Sequence, residues 1–200
     1  MRWYLLDMDN TLVDGEIYGH IYDNVIFRTC QETGLTFREI SDIANAAGLK
    51  RNRRGRWDTA DLTSLLNVSN VYYDELEKAM TKDFVNKNAR YVIDTLRKRG
   101  KYTGVVSNSR IKTINKFLTY YELWVDLIYS SEHAGCKKDK DQYWLKLSEF
   151  INPAQSVMIG DDYYEDVVMP SKHGFNTFHY QNNLSNILEL ENNFRGLRTA

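Results

Sequence analysis

The segment from Trp3 to Asp9 constrains the fold of this chain most, because four apolar residues are followed at once by an acid, and a second acid comes two residues later. This pattern predicts a buried strand whose carboxyl end reaches a polar site, which is where open α/β sheets bind their ligands. The two-residue period of a strand places Asp7 and Asp9 on one side and Met8 on the other. Two carboxylates at such a short distance repel each other unless a cation or a shared proton reduces the repulsion. Mg²⁺ is the simplest such cation, because it prefers oxygen ligands. A second interpretation stays open, in which Asp9 and Asn10 cap a turn or a helix.

Length and composition limit the class of protein. A chain of 200 residues with 42% hydrophobic content suits one domain, or one domain that carries a modest insertion. A formal net charge of −1 does not indicate a broad basic face, so no nucleic-acid partner is expected. We find no apolar run of transmembrane length and no signal-peptide core, so we expect a cytoplasmic protein without a membrane partner. Cys30 and Cys136 have no metal-type spacing, and no feature indicates an oligomeric state.

The region from Gly15 to Asn86 is helical in character. Apolar residues recur at helical spacing from Ile21, and the segment Thr36-Phe-Arg-Glu39 has the form of a capping box that starts a second helix. A long helical stretch directly after a first strand does not suit a simple alternating sheet. We therefore predict that residues 15–86 form an inserted all-helical cap.

After Asn88 the pattern changes to alternating strands and helices. Strand-like runs occur at residues 102–106, 126–129, 156–159 and 176–179, separated by helical segments. Such alternation predicts right-handed βαβ units and a parallel sheet. The expected fold is α/β, with a Rossmann-like three-layer core formed by residues 1–14 and 87–200.

Polar residues follow the predicted strands at positions suited to a phosphate or metal site. Ser107 and Asn108 follow one strand, and Asp161, Asp162 and Asp166 follow another. Each group alone also fits the start of a helix, where hydroxyl, amide and carboxylate side chains act as caps. Three lysines between residues 137 and 140 precede a predicted helix, where positive charge is unfavourable, so they indicate an anion site or a solvated charge run.

These four stretches, in this order, resemble the four motifs of the haloacid dehalogenase superfamily, in its phosphatase branch with a helical, C1-type cap. The first motif matches Asp7-x-Asp9-x-Thr11, and the fourth matches Gly160 to Asp166. The third-motif region favours Lys137 as the family's lysine, although the usual proline after it is replaced by Lys138, which leaves the register open by one residue.

The resemblance implies a hydrolase that cleaves a small phosphorylated metabolite such as phosphoglycolate, a nucleotide or a sugar phosphate. Asp7 would be the nucleophile that forms an aspartyl phosphate, and Asp9 would protonate the leaving oxygen and later activate water. Mg²⁺ is the implied cofactor. The implied metal-site residues are Asp7, Asp9 (through its carbonyl), Asp161, Asp162 and Asp166, and the implied phosphate-binding residues are Thr11, Ser107, Asn108 and Lys137.

Two alternatives stay open beside the phosphatase. A phosphomutase uses the same site and differs in how water is excluded. A catalytically silent binding or regulatory protein on the same fold is the other, since fold does not determine function. The superfamily's dehalogenases lack an acid at the position of Asp9, which disfavours a dehalogenase.

A basic run lies within the predicted cap. Five positive charges occur between Lys50 and Arg56, a pattern that is most often a solvated loop. Guanidinium groups also suit carboxylate and phosphate geometry, so this run is a candidate for substrate specificity. The residues concerned are Arg51, Arg53, Arg54 and Arg56.

Overall fold

The computed structural model describes residues 1–52, 54–181 and 183–189. The described chain forms two compact units, the first from Met1–Asp14 together with the chain from Val85 onward, and the second from Gly15–Phe84. No helix in the described part of the chain combines the length and the apolar character needed to cross a membrane.

The first unit is built on a five-stranded sheet in the order β3-β2-β1-β4-β5, with every neighbouring pair parallel. Tyr4, Leu5 and Leu6 in the central strand are fully buried, as expected for a parallel sheet that is covered on both faces. The strand bounds are β1 Trp3–Leu6, β2 Tyr102–Ser107, β3 Leu127–Ser130, β4 Ser156–Gly160 and β5 Asn176–His179.

Helices connect these strands. Trp144 and Tyr143 of the helix before β4 are fully buried in a cluster that includes Leu5, Val106 and Met158 from the sheet. The helices of this unit are α5 Ala89–Lys98, α6 Ile111–Tyr120, α7 Ser131–Ala134, α8 Asp141–Ser148, a π-helix Tyr163–Val168 and α9 Met169–Lys172, with 3₁₀ turns at Pro153–Gln155 and Leu184–Asn186.

The second unit is helical. Thr36 accepts a hydrogen bond from the Glu39 backbone while the Glu39 side chain accepts one from the Thr36 backbone, so the predicted capping box is confirmed. Its small core contains Ile40, Trp57 and Leu62. The helices are α1 Glu16–Thr33, α2 Phe37–Ala46, α3 Thr59–Leu65 and α4 Ser69–Ala79, followed by a 3₁₀ turn at Lys82–Phe84.

The predicted fold class is confirmed, because the sheet is parallel and a helical insertion separates β1 from β2. Two local features are not what the residue types alone suggest. Asn88 precedes α5 without a side-chain cap, and the helical segment after β4 is a π-helix followed by a short α-helix. Pro170 lies at the start of α9, directly after the π-helix.

Candidate active site

The carboxyl ends of the central strands bring the predicted acids together. The Asp7 backbone N–H donates to the Ile159 carbonyl at 2.8 Å, so the residue after β1 continues the pairing with β4. Only 5% of Asp7 is exposed, and Asp161 follows β4 at the same edge of the sheet. Parallel strands align their carboxyl ends at one edge, which explains why acids distant in sequence meet here.

Lys138 is the lysine that reaches this edge. Its Nζ lies 2.5 Å from Asp7 Oδ1 and 2.6 Å from Asp166 Oδ1, and the residue is only 2% exposed. Lys137 is exposed instead. The prediction that Lys137 occupies this position was therefore wrong by one residue. The register is set by contacts of the Lys138 backbone, whose N–H donates to Asn108 Oδ1 and whose carbonyl accepts from Trp144 Nε1, each at 2.8 Å.

Three carboxylates form a candidate metal centre. One oxygen from each of Asp7, Asp161 and Asp166 can be chosen so that all three lie within 4.8 Å of one another. Carboxylate oxygens are ligands that Mg²⁺ accepts. The group also carries more negative charge than the single ammonium of Lys138 neutralises, so a divalent cation fits the site.

The other two predicted metal residues use their carboxylates differently. Asp162 is exposed, and its Oδ1 accepts from the Tyr164 and Glu165 backbones at 2.9 Å each, which caps the π-helix. The visible role of this side chain is helix capping, outside the group of three carboxylates, and its place in the metal shell stays a prediction. Asp9 Oδ2 accepts a hydrogen bond from Ser109 Oγ at 2.9 Å. This contact involves only the side chain, so metal binding by the Asp9 backbone carbonyl stays a prediction.

Asp166 is fully buried, and its position depends on a glycine. A Cβ on Gly160 would lie only 2.1 Å from Asp166 Oδ2, so no side chain fits at the end of β4. The same Oδ2 accepts from the Asp162 backbone at 3.1 Å. Gly160 thus makes room for a carboxylate of the candidate metal centre.

Burial and charge shift the ionisation of this site in opposing ways. Burial raises the pKa of Asp7 well above its usual range, the carboxylates of Asp166 and Asp9 add to this, and Lys138 opposes it. Burial would lower the pKa of Lys138, but Asp7 and Asp166 outweigh it and hold that pKa well above its ordinary value. Burial, assisted by Asp166, also raises the pKa of Asp161. A nearby cation favours ionised carboxylates, which again fits a metal at this position.

The predicted phosphate-binding residues differ in their surroundings. Ser107 Oγ is buried beside the end of β2 and accepts from the Ser109 backbone at 3.0 Å. Thr11 Oγ1 is buried and has no hydrogen-bond partner among the described residues. Asn108 uses its side chain to bridge Lys138 and Glu165, with its Nδ2 2.6 Å from Glu165 Oε2. The structure shows that Asn108 links Lys138 to Glu165, whereas a direct contact of Asn108 with phosphate stays a prediction.

The basic run of the second unit forms local contacts. The Arg51 guanidinium lies 3.8 Å from the centre of the Trp57 ring and donates to the Gly55 carbonyl. Arg54 pairs with Glu16 at 2.8 Å, and the Arg56 guanidinium lies over a tyrosine ring. Arg53 lies outside the described residues.

Several residues of the site were not found from the sequence. Asn10 adopts a left-handed backbone conformation with φ of 57° and hydrogen-bonds Asp161. Its residue type is a signal, since asparagine tolerates this conformation better than most residues. Ser109 and Glu165 act through contacts between segments distant in sequence, which no local pattern reveals. Trp144 acts through the carbonyl of Lys138, six residues earlier in the chain.

Comparisons with known proteins agree with this arrangement. A family model described as a haloacid dehalogenase-like hydrolase matches residues 1–174. None of the curated proteins matches the sequence.

Three solved structures share the fold at low identity. A HAD phosphatase from Thermococcus onnurineus has a TM-score of 0.68 at 20% identity, covering 92% of this chain and 88% of that one. The HAD-hydrolase YfnB from Bacillus subtilis, bound to magnesium, has a TM-score of 0.65 at 18% identity, covering 96% and 98%. A protein described as a beta-phosphoglucomutase from Thermotoga maritima has a TM-score of 0.57 at 16% identity, covering 94% and 91%.

Proposed function

The chain belongs to the haloacid dehalogenase-like hydrolase family, and from this premise we propose that it is a Mg²⁺-dependent phosphatase acting on a small phosphorylated metabolite. One observation carries the proposal. The buried carboxylate of Asp7 lies against the Lys138 ammonium and within the same group as Asp161 and Asp166. The proposed nucleophile, the proposed cation for phosphoryl oxygens and the candidate metal ligands thus lie close together.

In the proposed reaction, an Asp7 oxygen attacks phosphorus while the bond from phosphorus to the leaving oxygen breaks. This forms an aspartyl phosphate, which is a known form of covalent catalysis. Asp9 gives its proton to the leaving oxygen and then takes a proton from the water that cleaves the aspartyl phosphate. Ser109 orients the Asp9 carboxyl through its hydrogen bond of 2.9 Å.

The remaining groups supply charge and orientation. Lys138 and Ser107 would contact the non-bridging oxygens of the transferred phosphoryl group, for which their ammonium and hydroxyl groups are suitable donors. Asp7, Asp161 and Asp166 would hold Mg²⁺, which when bound offsets the repulsion between carboxylate and phosphate. Catalysis then rests mainly on positioning and electrostatic stabilisation.

A screen of phosphorylated metabolites with Mg²⁺, scored by released phosphate, tests the proposal. We expect activity that disappears in excess chelator and falls by at least about a thousandfold in Asp7→Asn, because the nucleophile is lost. Asp162→Asn is the matched control, since asparagine also caps helices and this residue lies outside the metal group.

Two results would contradict the phosphatase. Activity that persists in Asp7→Asn or in chelator would exclude the proposed mechanism. A wild-type protein that is stabilised by Mg²⁺ but releases phosphate from no substrate would instead indicate a binding protein.

A further inference from the structure

We infer that Asn108 and Glu165 form a positioning pair that sets where Lys138 lies, an inference that rests on the proposed phosphatase function. The Lys138 backbone N–H donates to Asn108 Oδ1 at 2.8 Å, and Asn108 Nδ2 donates to Glu165 Oε2 at 2.6 Å. Asn108 thus receives a hydrogen bond from the lysine segment and gives one to the π-helix.

An amide suits this position because one end accepts and the other donates. The carboxylate of Glu165 only accepts when ionised, so it selects the orientation of Asn108 in which Oδ1 faces Lys138. The Asn108 backbone is held as well, since its carbonyl accepts from Ser131 Oγ at 2.8 Å. The amide therefore cannot rotate without losing both side-chain hydrogen bonds.

Two contacts hold the Lys138 backbone on opposite sides of the residue. Asn108 holds its N–H, and Trp144 Nε1 holds its carbonyl at 2.8 Å. With the backbone held, the side chain reaches Asp7 and Asp166 from a buried position. Small misplacements of a charged group in an active site cost large factors in rate, so this pair affects turnover although neither member needs to contact substrate.

A reversal of the hydrogen bond tests this role. Asn108→Asp keeps an acceptor for the Lys138 N–H but puts a second carboxylate against Glu165, so we expect kcat to fall by at least about tenfold with little change in KM. Glu165→Gln alone retains an acceptor oxygen and is expected to have a mild effect. In the double variant the glutamine amide can donate to the new carboxylate, and we expect kcat to return to within about threefold of wild type.

A second measurement keeps the inference separate from the phosphatase proposal. The backbone ¹H–¹⁵N resonance of Lys138, recorded without substrate, should shift in Asn108→Asp and return towards the wild-type position in the double variant. If wild type hydrolyses nothing, the phosphatase proposal fails while this resonance still tests the pair. If the double variant recovered the melting temperature but not kcat, the pair would have only a structural role. A double variant no better than Asn108→Asp, by either rate or resonance, would overturn the inference.

Discussion

Lys138 is the positive charge of the buried site, because its ammonium lies between the carboxylates of Asp7 and Asp166. Buried ion pairs are destabilising when one partner is removed, since the other charge is left without compensation. In the proposed reaction, the same ammonium that stabilises the buried acids also contacts a phosphoryl oxygen.

Single replacements of Lys137 and Lys138 with methionine, which has similar length and no charge, should show which lysine is functional. Lys138→Met is expected to lower turnover by at least about a hundredfold, because a charge beside the reacting group is lost. Lys137→Met should stay close to wild type, since Lys137 is exposed. Phosphate release measured on both variants, with melting temperature recorded to account for instability, checks the ranking. The opposite ranking would restore Lys137 as the functional lysine.

The sequence predicted which acids meet but not which lysine joins them. Asp7 follows an apolar run and Asp161 follows another, so the edge of the sheet is predictable from strand patterns. The register of the lysines depends on the contact between the Lys138 backbone and Asn108, thirty residues earlier in the chain. A run of adjacent lysines carries no local signal for such a contact.

Strand β3 packs against α8 through Tyr129. Its ring contacts Tyr143 edge to face with centroids 5.1 Å apart, and Tyr129 is only 3% exposed. The Tyr129 hydroxyl is buried and has no hydrogen-bond partner in the described part of the chain. Burial, with smaller effects of Cys136 and Glu149, raises the pKa of Tyr129 from 10.0 to about 12.

This shift predicts a loss of stability at high pH. The folded-state pKa lies above the unfolded one, so the contribution of Tyr129 is complete below pH 10.0 and is lost as pH rises towards about 12. We expect Tyr129→Phe to be neutral or slightly stabilising at pH 8, because it removes a buried hydroxyl without a partner. At pH 11 it should gain on the order of 1 kcal/mol over wild type.

Urea unfolding of both proteins at the two pH values measures this gain. Tyr91→Phe is the matched control, because the Tyr91 side chain is 61% exposed. An equal gain in the control, or none in Tyr129→Phe, would show that burial of the β3 tyrosine does not set the alkaline response.

The strands were predictable, but the π-helix was not. The inner strands are apolar runs bounded by polar residues, and all five predicted strands are present. The π-helix at Tyr163–Val168 has no signature in its own sequence, since helical spacing does not distinguish helix types there. Its conformation accompanies a tertiary requirement, the burial of Asp166 over Gly160.

A helical unit interrupts the sheet unit after its first strand. We propose that this unit, predicted over residues 15–86, acts as a cap that contributes to specificity. The arginines of its basic run are the candidates, but they are not equivalent. Arg51 stacks on Trp57, a core residue of the unit, so its removal would also affect folding.

We therefore keep Arg51 and change Arg54 and Arg56 to glutamine together. Arg54 pairs with Glu16 across exposed side chains, where ion pairs contribute little to stability, so the variant should fold normally. If these guanidinium groups bind an anionic part of the substrate beyond the transferred phosphate, kcat/KM for the best metabolite of the screen should fall by at least about tenfold. Activity on para-nitrophenyl phosphate should be nearly unchanged, because this ester carries no second anionic group. Equal losses on both substrates would indicate a folding defect or a direct catalytic role, and no loss on either would show that the run is a solvated loop.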